Sequence, residues 1–182
     1  AAYTPHLDHL ASAGMNGLYH TMMQGIPMSS ETAHFIIFGY DLAEFPGRGY
    51  IEAKGKGLHL TGDEVAILCH ICCVEHRKDN LVLTWGRPDI SYEEARELKI
   101  SIESFEMDGI SIRLMPSKGL DGFLVLKGAI EDTITDSDPI YEGRPLIEIM
   151  PTMQEKRSPH AEKTAEVLNK YLIWSYQRLS GH

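Results

Sequence analysis

The strongest constraint on the fold is a nearly uninterrupted apolar run from Val65 to Val74. Because the run is short and rich in β-branched residues and cysteine, it predicts one buried strand. Further segments have the apolar or alternating pattern of strands, and they lie at 81–85, 110–114 and 123–126, with 146–150 as another candidate. Ser91 and Glu94 predict a capping box at the start of a helix between these strands. The pattern indicates the α/β to α+β class, with a small mixed or antiparallel sheet and packing helices.

Helices are predicted on both sides of the sheet segments. Thr4 as N-cap and Pro5 at the first helical position open the first helix. Ser30 is placed at the N-cap of a second, short apolar helix that ends at Gly39. A final helix with one apolar stripe is expected over residues 158–179.

The composition argues against several classes of partner. With 182 residues and 43% hydrophobic residues, the chain can bury a core. Its net charge of −9 argues against nucleic acid and against an acidic membrane surface. No apolar run approaches the roughly 20 residues of a membrane span, and no segment has the pattern of a signal peptide. Three clustered cysteines do not resemble a secreted disulfide framework, which favours a cytoplasmic location.

The cysteines also raise the question of a metal site. Cys69, Cys72 and Cys73, with two nearby histidines, invite a zinc hypothesis. If all three lie on one strand, however, Cys69 and Cys73 face one way and Cys72 the other. They are therefore expected to be buried packing residues.

The chemistry-bearing residues in the second helix are Ser30 and His34. A hydroxyl at a helix N-terminus lies among N–H groups that favour an anion, so Ser30 could attack or carry a phosphoryl group. Its alternative role is to cap the helix. His34 follows by four residues and projects from the same side, as a base, as a phosphate contact or as a structural histidine.

Two polar segments allow a structural and a functional interpretation. The Gly-rich stretch Phe45–Gly62 is either a surface loop or a backbone near a phosphate, to which Arg48 contributes charge. Asp136 and Asp138 precede Pro139, and they form a solvated turn, a carboxylate contact to a substrate or a hinge back into the main domain.

The segment around Ser30 resembles the nucleophile motif of the archaeal-type cofactor-independent phosphoglycerate mutases, within the alkaline phosphatase superfamily. That motif reads approximately P-G-S-D-T-A-H-L-A-I-L-G-Y-D-P, and its Ser, His and G-Y-D fall on Ser30, His34 and Gly39-Tyr40-Asp41. Other family motifs match in the same order, at Thr4–Ala11, Gly47–Ala53, Thr135–Pro139 and Ala161–Asn169.

This resemblance implies a metal-dependent enzyme with a phosphoserine intermediate and a small phosphorylated substrate. Ser30 would carry the phosphoryl group and bind one of the divalent ions, which would be manganese, magnesium or zinc. Substrate contacts are implied for His34, Arg48, Arg87, Asp136 and Asp138. Residues 1–62 would be a core segment with flanking helices of the alkaline-phosphatase type. Residues 63–150 would be an inserted α+β cap, and residues 151–182 a helix returning to the core.

The chain also departs from the family pattern. Cation positions of the family fall on Leu68, on the stretch Leu83-Thr84-Trp85 and on Gly122. Two alternatives therefore stay open, namely a phosphotransferase or phosphatase with another phosphorylated substrate and a non-catalytic binding domain. The resembled family has metal ligands in segments before and after the part matched here. Alone, the chain is expected to bind no metal and to be inactive, and self-association of its helices is left open.

Overall fold

The computed structural model describes residues 2–20, 29–152 and 158–180. The chain divides into two compact units, Ala1–Pro46 and Gly47–His182. The first contains α1 (Pro5–Ala13), α2 (Ser30–Ile37) and one turn of 3₁₀ helix (Leu42–Glu44). The second contains α3 (Arg48–Gly55), β1 (Glu64–His70), β2 (Cys73–Arg77), β3 (Asn80–Trp85), α4 (Tyr92–Ser101), β4 (Ser104–Met107), β5 (Ile110–Pro116), β6 (Asp121–Lys127) and α5 (Pro159–Leu179).

The main sheet is antiparallel and has the strand order β1-β6-β5-β4. Along β5, Ile110, Ile112 and Leu114 are buried while the residues between them are exposed, as the sequence predicted. Helix α5 covers the inner face of this sheet and contributes Tyr171 to the core. The Tyr171 hydroxyl donates to the Ile102 carbonyl at 2.9 Å. The predicted small antiparallel sheet with packing helices is confirmed. The alkaline-phosphatase-like core and the three predicted domain ranges stay predictions.

The apolar run from Val65 to Val74 is divided between two strands, β1 and β2, so its prediction as one strand is wrong. Strand β1 ends at His70, whose partner Asp121 is the first residue of β6. The Ile71 amide then donates to the Leu120 carbonyl in the turn before β6, where the ladder ends. The chain next enters β2, which pairs with β3 in a separate hairpin from Cys73 onward.

Other expected boundaries also change. Residues 146–150 do not form a strand, because this stretch makes only single bonds such as Leu146 N–H to the Leu81 carbonyl and an isolated bridge at Pro145. Proline has no N–H to continue a ladder. Strand β4 is not among the predicted strands.

The Gly-rich stretch contains helix α3, where a surface loop was one of the expectations. Gly49 allows this helix to lie directly on β1, since a Cβ at this position would fall 2.1 Å from the Ala66 carbonyl oxygen. Ala53 is fully buried and packs with Ala66 and Phe123 on the outer face of the sheet. Glycine is therefore required here for close packing.

In α1 and α2, none of the described side chains is buried. Thr4 and Pro5 open α1 as predicted. Among the residues that the structure describes, no helix is long and apolar enough to cross a membrane.

We expect Gly49→Ala to destabilise the second unit by about 1–3 kcal/mol, because the added methyl group forces α3 away from β1. The measurement is the midpoint of urea unfolding. Gly55→Ala, in the same helix, is the matched control, since nothing lies within 4 Å of its added Cβ. That control should be neutral or stabilising by up to about 1 kcal/mol. Equal midpoints for the two variants would contradict the packing role of Gly49.

Candidate active site

Ser29, rather than Ser30, caps helix α2, so the predicted N-cap is wrong by one residue. The Ser29 hydroxyl accepts from the Thr32 amide at 3.5 Å and lies 3.0 Å from the Thr32 hydroxyl. Ser30 is the first helical residue and is exposed. The capping role that competed with a chemical role for Ser30 therefore belongs to its neighbour.

The His34 ring lies beside the backbone of Ser30. Its Nδ1 is 2.6 Å from the Ser30 carbonyl oxygen. A carbonyl can only accept, so Nδ1 must carry the proton and donate it. In the neutral ring Nε2 is then an acceptor, whereas in the charged ring it is a second donor. Because His34 follows Ser30 by four residues, its ring reaches the Ser30 carbonyl, and this hydrogen bond fixes the tautomer with the proton on Nδ1.

The end of the motif folds back on α2. Gly39 has φ +89°, which places it in the left-handed region that favours glycine. The Tyr40 ring then stacks on Phe35 with centroids 4.8 Å apart, and Phe45 contacts Phe35 edge-on at 5.3 Å. Asp41 accepts from the Ala43 amide at 2.9 Å and starts the 3₁₀ turn. The G-Y-D sequence is thus explained by local folding.

Arg48 and Arg87 both lie in the second unit, and each pairs with a carboxylate. Arg48 is the first residue of α3, and its Nε donates to Glu52 at 2.6 Å. Arg87 follows β3, and its Nη1 donates to Asp121 at 2.8 Å. The Arg87 side chain is 71% exposed, so part of its guanidinium faces solvent.

Asp136 and Asp138 build the turn in which they lie. Asp136 accepts from the Asp138 amide at 3.0 Å, and Asp138 accepts from the Ile140 amide at 2.7 Å. These bonds hold Ile140 at φ +67°, an unusual conformation for a β-branched residue. The turn interpretation has structural support, while a substrate contact stays a prediction.

Sequence reasoning missed Lys99, which is only 6% exposed. It lies on the buried side of α4, four residues after Ala95 and three before Ile102, both of which are buried. Ala95, Lys99 and Ile102 have the i, i+4, i+7 spacing of one buried helix face, and this spacing could have predicted from sequence that Lys99 is buried. Its ammonium group contacts the turn between β5 and β6.

Comparison with known proteins places the chain in a family. Residues 11–182 match the family model described as 2,3-bisphosphoglycerate-independent phosphoglycerate mutase. The chain belongs to this family. The resemblance stated from the Ser30 motif is confirmed.

Several mutases of this name are similar along the whole chain. Two proteins named 2,3-bisphosphoglycerate-independent phosphoglycerate mutase from Methanocaldococcus jannaschii are 38% and 39% identical over 189 and 183 residues. One from Ignicoccus hospitalis is 36% identical over 185 residues. Each comparison covers 100% of this chain but only 43–44% of the relative. The chain therefore spans less than half the length of these curated relatives.

A solved structure is also similar. It is the cofactor-independent phosphoglycerate mutase from Thermoplasma acidophilum, with 33% sequence identity and a TM-score of 0.62. The match covers 100% of this chain and 46% of that one.

Two positions that correspond to cations in the mutase motifs are closely packed in this chain. Leu68 packs against the cluster that contains Ala53 and Phe123. At Gly122, a Cβ would meet the Leu114 side chain at 2.9 Å and the Met115 carbonyl oxygen at 3.0 Å. A cationic side chain at Gly122 would require these neighbours to repack, whereas Leu68 is only partly buried.

The described residues do not form a metal site by themselves. They contain no group of three or more His, Cys, Asp or Glu side chains that could hold an ion. Burial raises the pKa of the Cys69 thiol to about 12 and also raises the pKa of Cys72. Because β1 and β2 are separate strands, the strand-alternation argument against zinc was wrong in its premise. The role of Ser30 as a ligand to the ions that the mutase resemblance implies stays a prediction.

The assignment of the cap to Ser29 predicts different effects for two neighbouring serines. We expect Ser29→Ala to speed amide exchange at Thr32 roughly two- to fivefold, because loss of an N-cap costs about 0.5–1 kcal/mol. Ser30→Ala is the matched control and should leave that rate unchanged. The exchange rates are measured by NMR, and a larger effect from Ser30→Ala would contradict the assignment.

Proposed function

We propose that this chain supplies the phosphoryl-accepting serine and part of the substrate-binding surface of a phosphoglycerate mutase. The observation that carries the proposal lies at the start of α2, where the His34 ring contacts the Ser30 backbone carbonyl at 2.6 Å. Ser29 caps the helix there, so the Ser30 hydroxyl is not used as the N-cap. The match to the mutase family over residues 11–182 supports the reaction class.

Two displacements at phosphorus account for the reaction. The Ser30 Oγ attacks the phosphoryl group of a phosphoglycerate, and the bond from phosphorus to the glycerate oxygen breaks. The serine hydroxyl gives up one proton, and the departing glycerate oxygen takes up one. The other glycerate hydroxyl then attacks the phosphoserine and gives up its proton, the bond from phosphorus to Oγ breaks, and Oγ takes up a proton again. The number of phosphoryl groups is unchanged, so the reaction is an isomerisation.

His34 has a geometry suited to this chemistry. With Nδ1–H held by the Ser30 carbonyl, the neutral ring presents an acceptor at Nε2. The protonated ring instead presents a donor to a phosphate oxygen. We assign His34 as a substrate contact, together with Arg48 and Arg87 as cations for the phosphate or carboxylate. The assignments of Asp136 and Asp138 as further contacts have less support, because both carboxylates already bond the backbone.

The mutase resemblance also implies manganese, magnesium or zinc. Such an ion neutralises charge on a transferring phosphoryl group and activates a hydroxyl. Since the described residues offer no set of three ligands, the remaining ligands would have to come from elsewhere. We therefore expect the 182-residue chain alone to be inactive.

A phosphotransferase or phosphatase acting on another phosphorylated molecule is the second candidate. The packing of Leu68 and Gly122 favours it, because these two sites carry no cation for a doubly charged phosphoglycerate. Each missing charge-assisted hydrogen bond is worth about 1.5–3 kcal/mol, or roughly one to two powers of ten in affinity.

A chimera tests both candidates. This chain replaces the matching part of a Methanocaldococcus jannaschii relative, which it covers to 43–44%. We expect the chimera, supplied with manganese, to interconvert 3- and 2-phosphoglycerate, and Ser30→Ala to lower the rate at least 10³-fold because the nucleophile is lost.

Ser29→Ala is the matched control and should keep most of the activity. Phosphoserine trapped at Ser30 and identified by mass spectrometry would support the covalent step. A folded chimera that hydrolyses p-nitrophenyl phosphate but not phosphoglycerate would favour the second candidate. Full mutase activity in Ser30→Ala would reject the nucleophile assignment.

A further inference from the structure

The ammonium group of Lys99 is enclosed by main-chain oxygens of one turn. Its Nζ donates to the carbonyls of Ser117 at 3.2 Å, Gly119 at 2.5 Å and Asp121 at 2.7 Å. Ser117 and Gly119 lie in the turn that joins β5 to β6, and Asp121 is the first residue after it. An ammonium group has three N–H donors, so one side chain from α4 holds three points of the turn.

A charged group at this position has a cost that an apolar residue would avoid. Desolvation lowers the pKa of Lys99, while the nearby Cys69 and Asp121 oppose that shift. Leucine or methionine could fill the space between Ala95 and Ile102 without this penalty. The turn also has backbone bonds of its own, from the Ser117 amide to the Asp121 carbonyl and from the Asp121 amide to the Lys118 carbonyl. What the cation adds is a tie from α4 to three carbonyls of this segment.

The turn in question ends at the residue that holds Arg87. Asp121 is the first residue of β6, and its two oxygen types have different partners. The main-chain oxygen accepts from Lys99 at 2.7 Å and from the Ser117 amide at 2.9 Å, and the carboxylate accepts from Arg87 at 2.8 Å. An exposed ion pair is weak and loses side-chain entropy when it forms. A firmly held Asp121 lowers that entropy cost for its own side of the pair, which favours one orientation of Arg87.

We infer that Lys99 is a positioning residue, which fixes Asp121 and thereby aims the Arg87 guanidinium at an anionic substrate. The inference rests on the proposed function, in which Arg87 contacts the phosphate or carboxylate. Lys99 itself does not touch the substrate, because all three of its donors are directed to the turn.

The experiment uses the 182-residue chain and two readouts. The first is the side-chain ¹⁵N signal of Arg87 without ligand, which reports whether the guanidinium is held. The second is the affinity for 3-phosphoglycerate, followed by NMR titration. Lys99→Met keeps most of the stem and removes the ammonium. Lys118→Met is the matched control, because Lys118 is exposed in the same turn and carries the same charge.

We expect Lys99→Met to shift and broaden the Arg87 signal and to weaken 3-phosphoglycerate binding roughly three- to tenfold. Lys118→Met should change neither readout. In an Arg87→Gln background, Lys99→Met should cause no further loss of affinity, because the residue that it positions is gone. A purely structural role would lower the affinity equally in both backgrounds, and that result would overturn the inference.

Asp121→Asn tests the same link without disturbing the clamp, since the main-chain oxygen that Lys99 binds is retained. It should weaken binding as much as Lys99→Met, and the two changes together should not add. Unchanged affinity in Asp121→Asn would overturn the inference even if Lys99→Met failed to fold. If the unaltered chain binds no 3-phosphoglycerate, the proposed role of Arg87 fails. In that case the ¹⁵N signal of Arg87 alone tests the positioning role of Lys99. A signal that Lys99→Met leaves unchanged overturns this role, and a shifted signal supports it.

Discussion

The pairing of β6 with both β1 and β5 is the interaction on which the second unit depends. The residues from Gly122 to Leu126 are buried, and this strand has hydrogen-bonded neighbours on both edges. Its inner face contributes Leu124 and Leu126 to the core beneath α5, and its outer face contributes Phe123 to the cluster beneath α3. Both layers of helix therefore pack against one central strand, whose apolar burial is the main favourable term.

The starting point of β6 also decides the positions of polar groups. Because β6 begins at Asp121, its pairing with β1 ends at His70. The chain then leaves this sheet and forms the β2–β3 hairpin. Arg87 follows that hairpin and meets the Asp121 carboxylate. Lys99 holds the main chain of Asp121 from the helix side. Asp121, at the start of β6, therefore contacts both the exposed Arg87 and the buried Lys99.

The chemistry assigned to Ser30 depends on a different kind of order, which is local to α2. The cap at Ser29, the i,i+4 contact of His34 and the turn at Gly39 all lie within eleven residues of one another. None of them requires the sheet. This explains why the motif could be recognised from sequence, and why it led to the mutase family that the comparison over residues 11–182 identified.

The sequence by itself determined the features that depend on neighbours along the chain. These include the start of α1, the capping box of α4, the alternation along β5 and the Ser30 motif, since periodicity and caps act over three or four residues. Only the tertiary structure decided where the apolar run divides, why Gly49 is glycine and why Lys99 is buried. Each of these depends on a partner distant in sequence, namely Leu120, Ala66 and the carbonyls of the β5–β6 turn. A strand ends where its partner ends, and no local pattern contains that information.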